Sequence, residues 1–397
     1  MLISENLERV HSDIRGKLYM RALELEKEGK KILKLNTGNP AAFGFTMPQS
    51  IKNRIINDVD LSLGYCDIRG MIKARESIAK YHLSRGINNI NEDDIFIGNG
   101  VSETAYMIIT AIIGRGDEVL VPTPCYSLWT NFTYLAGGNA RFYRCDEENE
   151  WQPDIKSIEE SITPKTKAIV IINPNNPTGA LYSNDNILKI LDIARKNNLV
   201  VISDEIYDRL VLDGLEHTST ASLCDDVTVV TMNGLSKSHC ICGLRCGWLC
   251  VSGPQKELLK EALVKIASVR LCSNALMQLV IPDAISDTEY TKEMINPDGR
   301  LFRQREVVCE SLDKISGISY VKNKAAFYLF PSIDLKLYGF ESDREFASQL
   351  LEEKHILVIP GTGFSHTDKS HFRIVMLPEE KILKNAIDEI GDFLKSR

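Results

Sequence analysis

Between Asp94 and Ser252 the chain alternates short, apolar, β-branched runs with segments of helical period, and this alternation constrains the fold more than any other feature. It is the pattern of a mainly parallel sheet covered by helices. The expected strands are Ile95–Ile97, Glu118–Val121, Ala168–Ile172, Leu199–Ser203, Val227–Met232 and Trp248–Val251, with Thr104–Ile113 and Asn184–Lys196 as helices between them. Such sheets bind ligands beyond the carboxyl ends of their strands, so the polar residues just after each run are where chemistry is expected.

The flanks read differently. Residues 1–47 supply an N-terminal arm and part of a smaller α+β unit, 48–287 form the large α/β domain, and 288–397 complete the small one. Its expected strands are Ile318–Val321, Ala326–Phe330, Ile356–Ile359 and Phe372–Met376, followed by an amphipathic helix over Glu379–Lys395. The 397 residues are 44% hydrophobic with net charge -7, which argues against nucleic acid or an anionic membrane as the main partner. Ten cysteines in a chain this long read as free thiols of a reducing compartment. With charges spread through the first 20 residues and no long apolar run, the expectation is a cytoplasmic protein.

The chemistry concentrates at three strand ends. Asn233-Gly234-Leu235-Ser236-Lys237 closes an apolar run and is followed by Gly243-Leu244-Arg245-Cys246-Gly247-Trp248. A lysine desolvated at a strand end becomes nucleophilic as a neutral amine, while Ser236 and Arg245 can hold an anion nearby, a combination that suits a lysine Schiff base beside a phosphate. A solvated surface loop is the alternative for these residues alone. After Ala168–Ile172 comes Asn173-Pro174-Asn175-Asn176-Pro177-Thr178-Gly179, a loop stiffened by two prolines. After Leu199–Ser203 comes Asp204-Glu205-Ile206-Tyr207, an acid able to keep a pyridine nitrogen protonated or, alone, to cap a helix. A fourth junction, Gly98-Asn99-Gly100-Val101-Ser102-Glu103, opens a helix whose N-terminal amides suit an anion, provided Glu103 turns away.

Together these segments resemble the class I/II aminotransferases, pyridoxal-phosphate enzymes of fold type I, over nearly the whole chain. Leu35 to Phe45, Asn233 to Lys237 and Arg270-Leu271-Cys272-Ser273-Asn274 are similar to the bacterial-type alanine (glutamate–pyruvate) subgroup. The resemblance implies pyridoxal 5'-phosphate as cofactor and ping-pong transfer between amino acids and 2-oxo acids. It implies that Lys237 carries the cofactor and moves the Cα proton, that Asp204 pairs with the pyridine nitrogen, and that Asn176 and Tyr207 bond the ring hydroxyl. It places Tyr126 on the ring face, puts Gly100, Val101, Ser102, Ser236 and Arg245 around the phosphate, and has Tyr65 reach the neighbouring subunit's phosphate in a homodimer. Arg373, Asn176 and the backbone of Gly38 would grip the substrate α-carboxylate. For the glutamate side chain, Arg270 and Arg15 are candidates, and Phe43 and Phe45 are pocket walls or core.

Other readings are weaker. Cys240, Cys242, Cys246 and Cys250 crowd together, but C-x-C-x3-C-x3-C is not the usual spacing of zinc or iron–sulfur ligands, and no metal is expected. A nicotinamide dehydrogenase needs a third glycine where Glu103 stands. An aromatic, branched-chain or broad-specificity aminotransferase and a carbon–sulfur β-lyase share the lysine, aspartate and arginine, so only the subgroup-like segments favour alanine.

Overall fold

The computed structural model describes residues 3–397; Met1 and Leu2, at the head of the expected N-terminal arm, lie outside the described residues. Eight strands form the large sheet: β1 Ile95–Asn99, β2 Glu118–Thr123, β3 Asn139–Asp146, β4 Gln152–Pro153, β5 Thr166–Ile172, β6 Val200–Asp204, β7 Val229–Gly234 and β8 Cys246–Ser252. Their spatial order is β1-β8-β7-β6-β5-β2-β3-β4. Strands β7, β6, β5, β2 and β3 pair in parallel, whereas β8 runs antiparallel to both of its neighbours. The fold is thus α/β with a mainly parallel sheet, as expected.

The inner strands carry apolar runs that face both ways because both faces of the sheet are covered. Ile169, Ile171, Val201 and Val229 enter one core, and their neighbours Ala168, Val170, Ile172, Val200, Ile202 and Val230 enter another on the opposite face. This period of two locks the register, since a one-residue slip would exchange the two cores. Strand β3 had no counterpart among the expected strands, because Asn139 and Arg141, partly exposed, and Arg144, exposed, break its apolar pattern.

A further core joins Leu35 to Val308, Phe346, Ile374 and Leu394, so both flanks of the chain contribute to it. The helix Glu380–Lys395 places Leu383, Ala386, Ile387, Ile390 and Leu394 on one buried stripe. The expected strand Ile356–Ile359 is two short strands in different sheets: Ile356–Leu357 lies parallel to Leu33–Lys34, and Ile359–Pro360 lies antiparallel to Phe372–Val375. The strand expected at Ala326–Phe330 narrows to Tyr328–Leu329, and that at Ile318–Val321 to Ile318–Ser319. Aromatic packing around Phe327 and Phe330, rather than a longer ladder, holds this stretch. No described helix is long and apolar enough to cross a membrane.

Candidate active site

The parallel strands bring Asn99, Thr123, Ile172, Asp204 and Gly234 to one edge of the sheet. The reversed strand β8 starts at that same edge, with Asn99 paired to Cys246 and Gly234 to Gly247. Antiparallel pairing therefore delivers Arg245, the residue before β8, beside the ends of β1 and β7. The polar loops singled out in the sequence all emerge there.

Lys237 lies on the turn after β7, partly buried, with Nζ donating to the carbonyl of Gly38 at 2.9 Å. Asp204 ends β6 and is buried; its Oδ1 accepts from the Ile206 amide at 3.3 Å. Burial pushes this carboxyl up to about 6, against the opposing pull of the Ile206 amide, the Trp129 indole and the Lys237 charge. Behind it Glu205 is also buried and pushed up to about 8 by desolvation, although the Thr220 amide and the hydroxyls of Ser203 and Ser219 hydrogen-bond to it.

Tyr207 is buried, with its hydroxyl 2.8 Å from that of Tyr328. Tyr126 is partly buried, and desolvation raises its phenol. Arg373, on the strand Phe372–Val375, is 1% exposed. Its Nη1 donates to Asn176 Oδ1 at 2.8 Å and its Nη2 to the carbonyl of Asn36. The guanidinium lies over the rings of Tyr328 and Phe364, 4.5 and 4.7 Å from their centroids, and Nε has no partner.

At the β1 junction, Gly100 takes φ +83°, a conformation that favours glycine, and a Cβ there would lie 2.2 Å from Arg245 Nη2. A Cβ on Gly247 would lie 2.4 Å from the Val101 nitrogen. The two glycines thus leave room for Arg245 to cross the start of the helix Val101–Ile112, whose first-turn amides, those of Val101 and Ser102 among them, have no intrahelical acceptor. Ser236 is buried nearby on the Lys237 turn. Glu103 turns away, accepting from the Asn99 amide at 2.7 Å and pairing with Arg270 at 2.6 Å.

That ion pair also settles what Arg270 does. With further bonds to the carbonyls of Ile68 and Ile97 its guanidinium is engaged in structure, whereas Arg15 is exposed and close enough to Tyr126 for its charge to oppose part of the rise that burial gives that phenol. Phe45 packs in a core with Tyr207, Phe327 and Tyr328, and Phe43 lies against it. Tyr65 is 85% exposed and belongs to no cluster of its own chain's site.

Tyr328, Phe327 and Trp129 were not picked out from the sequence. A Cβ on Gly38 would lie 2.2 Å from the Tyr328 hydroxyl, so glycine at 38 is what lets the two segments approach. The signal for Phe327 and Tyr328 was an aromatic pair at the head of the strand that pairs antiparallel with the arginine strand. The crowded cysteines part company: Cys242 Sγ contacts Asn39 Oδ1, Cys246 Sγ the Met277 carbonyl and Cys240 Sγ the Met294 sulfur. Burial raises the thiols of Cys240, Cys246 and Cys250, as expected of small buried hydrophobes.

Comparison with known proteins bears on this geometry. Residues 30–390 match the family model described as aminotransferase class I and II. The chain is 45% identical, over 98% of its length and 97% of the relative's, to the glutamate-pyruvate aminotransferase AlaA of Haemophilus influenzae. It is 42% identical to an alanine aminotransferase of Mycobacterium tuberculosis over 99% of its own length and 92% of that protein's. An aminotransferase structure from Escherichia coli superposes with a TM-score of 0.97 at 42% identity, covering 100% of this chain and 98% of that one. The alanine aminotransferase of Pyrococcus furiosus gives 0.95 at 37% identity, with both chains covered in full.

Proposed function

The chain is a member of the class I and II aminotransferase family, and from that footing we propose that it exchanges the amino group between alanine and 2-oxoglutarate with pyridoxal 5'-phosphate as cofactor. The observation that carries the substrate assignment is the full-length identity of 45% to a glutamate-pyruvate aminotransferase. The donor set supports the cofactor. A buried carboxylate with one long hydrogen bond, Asp204, suits a pyridinium nitrogen; the helix start at Val101 with Arg245 and Ser236 suits a phosphate dianion.

In this reading Gly100, Val101, Ser102, Ser236 and Arg245 hold the phosphate, Asp204 the ring nitrogen and Tyr126 the ring face. Asn176 Oδ1 accepts from Arg373, which leaves its amide N–H groups for the ring hydroxyl, with Tyr207 as the second donor. Lys237 holds the cofactor through Nζ. Bound there, pyridoxal phosphate supplies the electron sink that makes the substrate Cα acidic. Lys237 Nζ, beside the Gly38 carbonyl, would take the proton from Cα of the donor amino acid and pass it to the cofactor, and would run the same transfer in reverse to protonate Cα of the product amino acid.

Arg373 orients the substrate α-carboxylate. Its Nε is unpartnered and each Nη keeps a second N–H, so two parallel bonds to a carboxylate are available. Tyr328 and Phe364 on its faces exclude water and strengthen that attraction. With Arg270 tied to Glu103, Arg15 is the cation we assign to the glutamate γ-carboxylate. We take residues 48–287 as the cofactor-binding unit and 288–397 with the N-terminal arm as the unit that closes over the substrate. The exposure of Tyr65, Leu63 and Val269, at 85%, 81% and 90%, fits their burial against a second copy, where Tyr65 would reach the partner's phosphate.

The test is a spectrum and a rate. The visible band of the cofactor-loaded protein is expected to fall with L-alanine and return with 2-oxoglutarate, and double-reciprocal plots are expected to be parallel. A band unmoved by alanine but bleached by another amino acid would keep the family and replace the substrate.

A further inference from the structure

Away from that site, the loop after Phe364 brings His366, Asp368 and His371 together, with one ligating atom from each lying within 4.8 Å of the others. Closeness alone decides nothing, but three further observations point the same way. His366 Nε2 is buried without a hydrogen-bond partner, an arrangement rare among buried polar groups. His371 Nε2 lies 3.0 Å from Glu147 Oε2. Since a carboxylate can only accept, that nitrogen carries a proton, and the other nitrogen, Nδ1, lies 3.8 Å from Asp368 Oδ2. A carboxylate bonded to the far nitrogen of an imidazole is how proteins orient histidine toward a metal.

The third observation is the arrangement of the rings. The two imidazoles are nearly perpendicular, at 87° with centroids 4.7 Å apart, while His371 stacks on Phe330 and both rings meet the edge of Trp151. Phe330 and Trp151 thus pack against both rings, while a nitrogen of each ring and an Asp368 oxygen lie within 4.8 Å of one another. The Ser370 hydroxyl, 3.3 Å from His371 Nδ1, can rotate aside.

We propose that His366, Asp368 and His371 bind one divalent first-row transition metal ion, with Glu147 orienting His371. Two imidazoles and a carboxylate make a borderline ligand set that suits Zn2+ over Mg2+ or Ca2+, and three protein ligands leave a fourth position for water. The carboxylates of Asp368 and Glu147 balance the charge of the ion. Its place in the fold gives it a consequence. Glu147 follows β3 of the large sheet and His371 stands two residues before Arg373, so the Glu147–His371 contact ties the head of the arginine strand to the large sheet, and an ion on the far nitrogen would hold His371 in that contact.

The experiment is a calorimetric titration of the cofactor-loaded protein with Zn2+, repeated on H366Q and D368N. The Asp368 side chain is 55% exposed, so D368N keeps the fold even if H366Q does not. One equivalent per chain is expected, with affinity at least about tenfold weaker in each variant. A wild-type titration without saturable heat overturns the proposal, and so does binding that both variants leave unchanged, which would place the ion on the thiols instead.

Discussion

The two buried charges of the site are handled in opposite ways. Arg373 sits on a short strand of the smaller sheet system, yet the protein has solvated it in advance, with Asn176, the Asn36 carbonyl and two aromatic faces. Asp204 ends a central strand of the large sheet and has one long amide bond, so burial pushes it up to about 6. A guanidinium stays charged in such a pocket because its intrinsic pKa is far above neutrality. A carboxyl pushed up to about 6 still ionises near neutral pH, but at a cost in stability that a cation beside it offsets. The difference teaches that the substrate-facing charge is supported before anything binds, while the cofactor-facing charge is left to be stabilised by what binds beside it.

The strongest way to break the comparison is to remove the residue between the two charges. Lys237→Ala is expected to lower the transamination rate by at least about 10^4-fold, because it removes the covalent hold and the proton carrier together. Single-turnover rates with L-alanine check this, and near-wild-type turnover would end the assignment. Arg373→Ala comes next, with a fall in kcat/KM of about 10^2 to 10^3-fold for every amino acid, the range for losing one partner of a desolvated charge pair. The cofactor's absorption should survive. An equal loss for a primary amine lacking the carboxylate would show that the strand, not the contact, had been damaged.

How much of this was legible from residues follows the same division. The large sheet and the ends of β5, β6 and β7 were readable because each buried strand is a continuous apolar run closed by a polar motif, so the pattern and the chemistry share one stretch of chain. Arg373 was readable only through its family-like setting, since an arginine on a strand is by itself an ordinary surface feature. Tyr328 was not readable: its role depends on meeting Tyr207, Gly38 and Arg373, which lie between 45 and 290 residues away in the chain. The split of Ile356–Ile359 between two sheets escaped for the same reason, because two-residue strands are set by their partners and not by propensity.

The third prediction sharpens the comparison through pH. In protein stripped of cofactor, Asp204 binds its proton up to about pH 6, whereas the unfolded carboxyl releases it near 3.8. The native state therefore binds more protons in that window, and its stability falls as pH rises through it. Asparagine carries no such dependence. Stripped D204N is expected to exceed stripped wild type by about 2–3 kcal/mol at pH 7.5 and to match it near pH 4, by urea unfolding. Glu205, pushed up to about 8, is present in both proteins and cancels. With cofactor bound the order should reverse, since the asparagine cannot pair with a cationic ring nitrogen; a D204N advantage that persisted in the loaded enzyme would mean that Asp204 faces no cation.

The smallest effect tests whether Arg373 is as independently supported as the contrast requires. Tyr328→Phe removes the hydroxyl 2.8 Å from Tyr207 but leaves the ring that lies against the guanidinium. The loss should be that of one neutral hydrogen bond, about 1 kcal/mol, or about fivefold in kcat/KM. Because the hydroxyl belongs to the Tyr207 side, the change should appear in kcat, with KM for alanine held within about twofold by the retained ring. A rise in KM with kcat unchanged would place the hydroxyl's role on the arginine side, and the two charges would then share a support that the geometry assigns to only one of them.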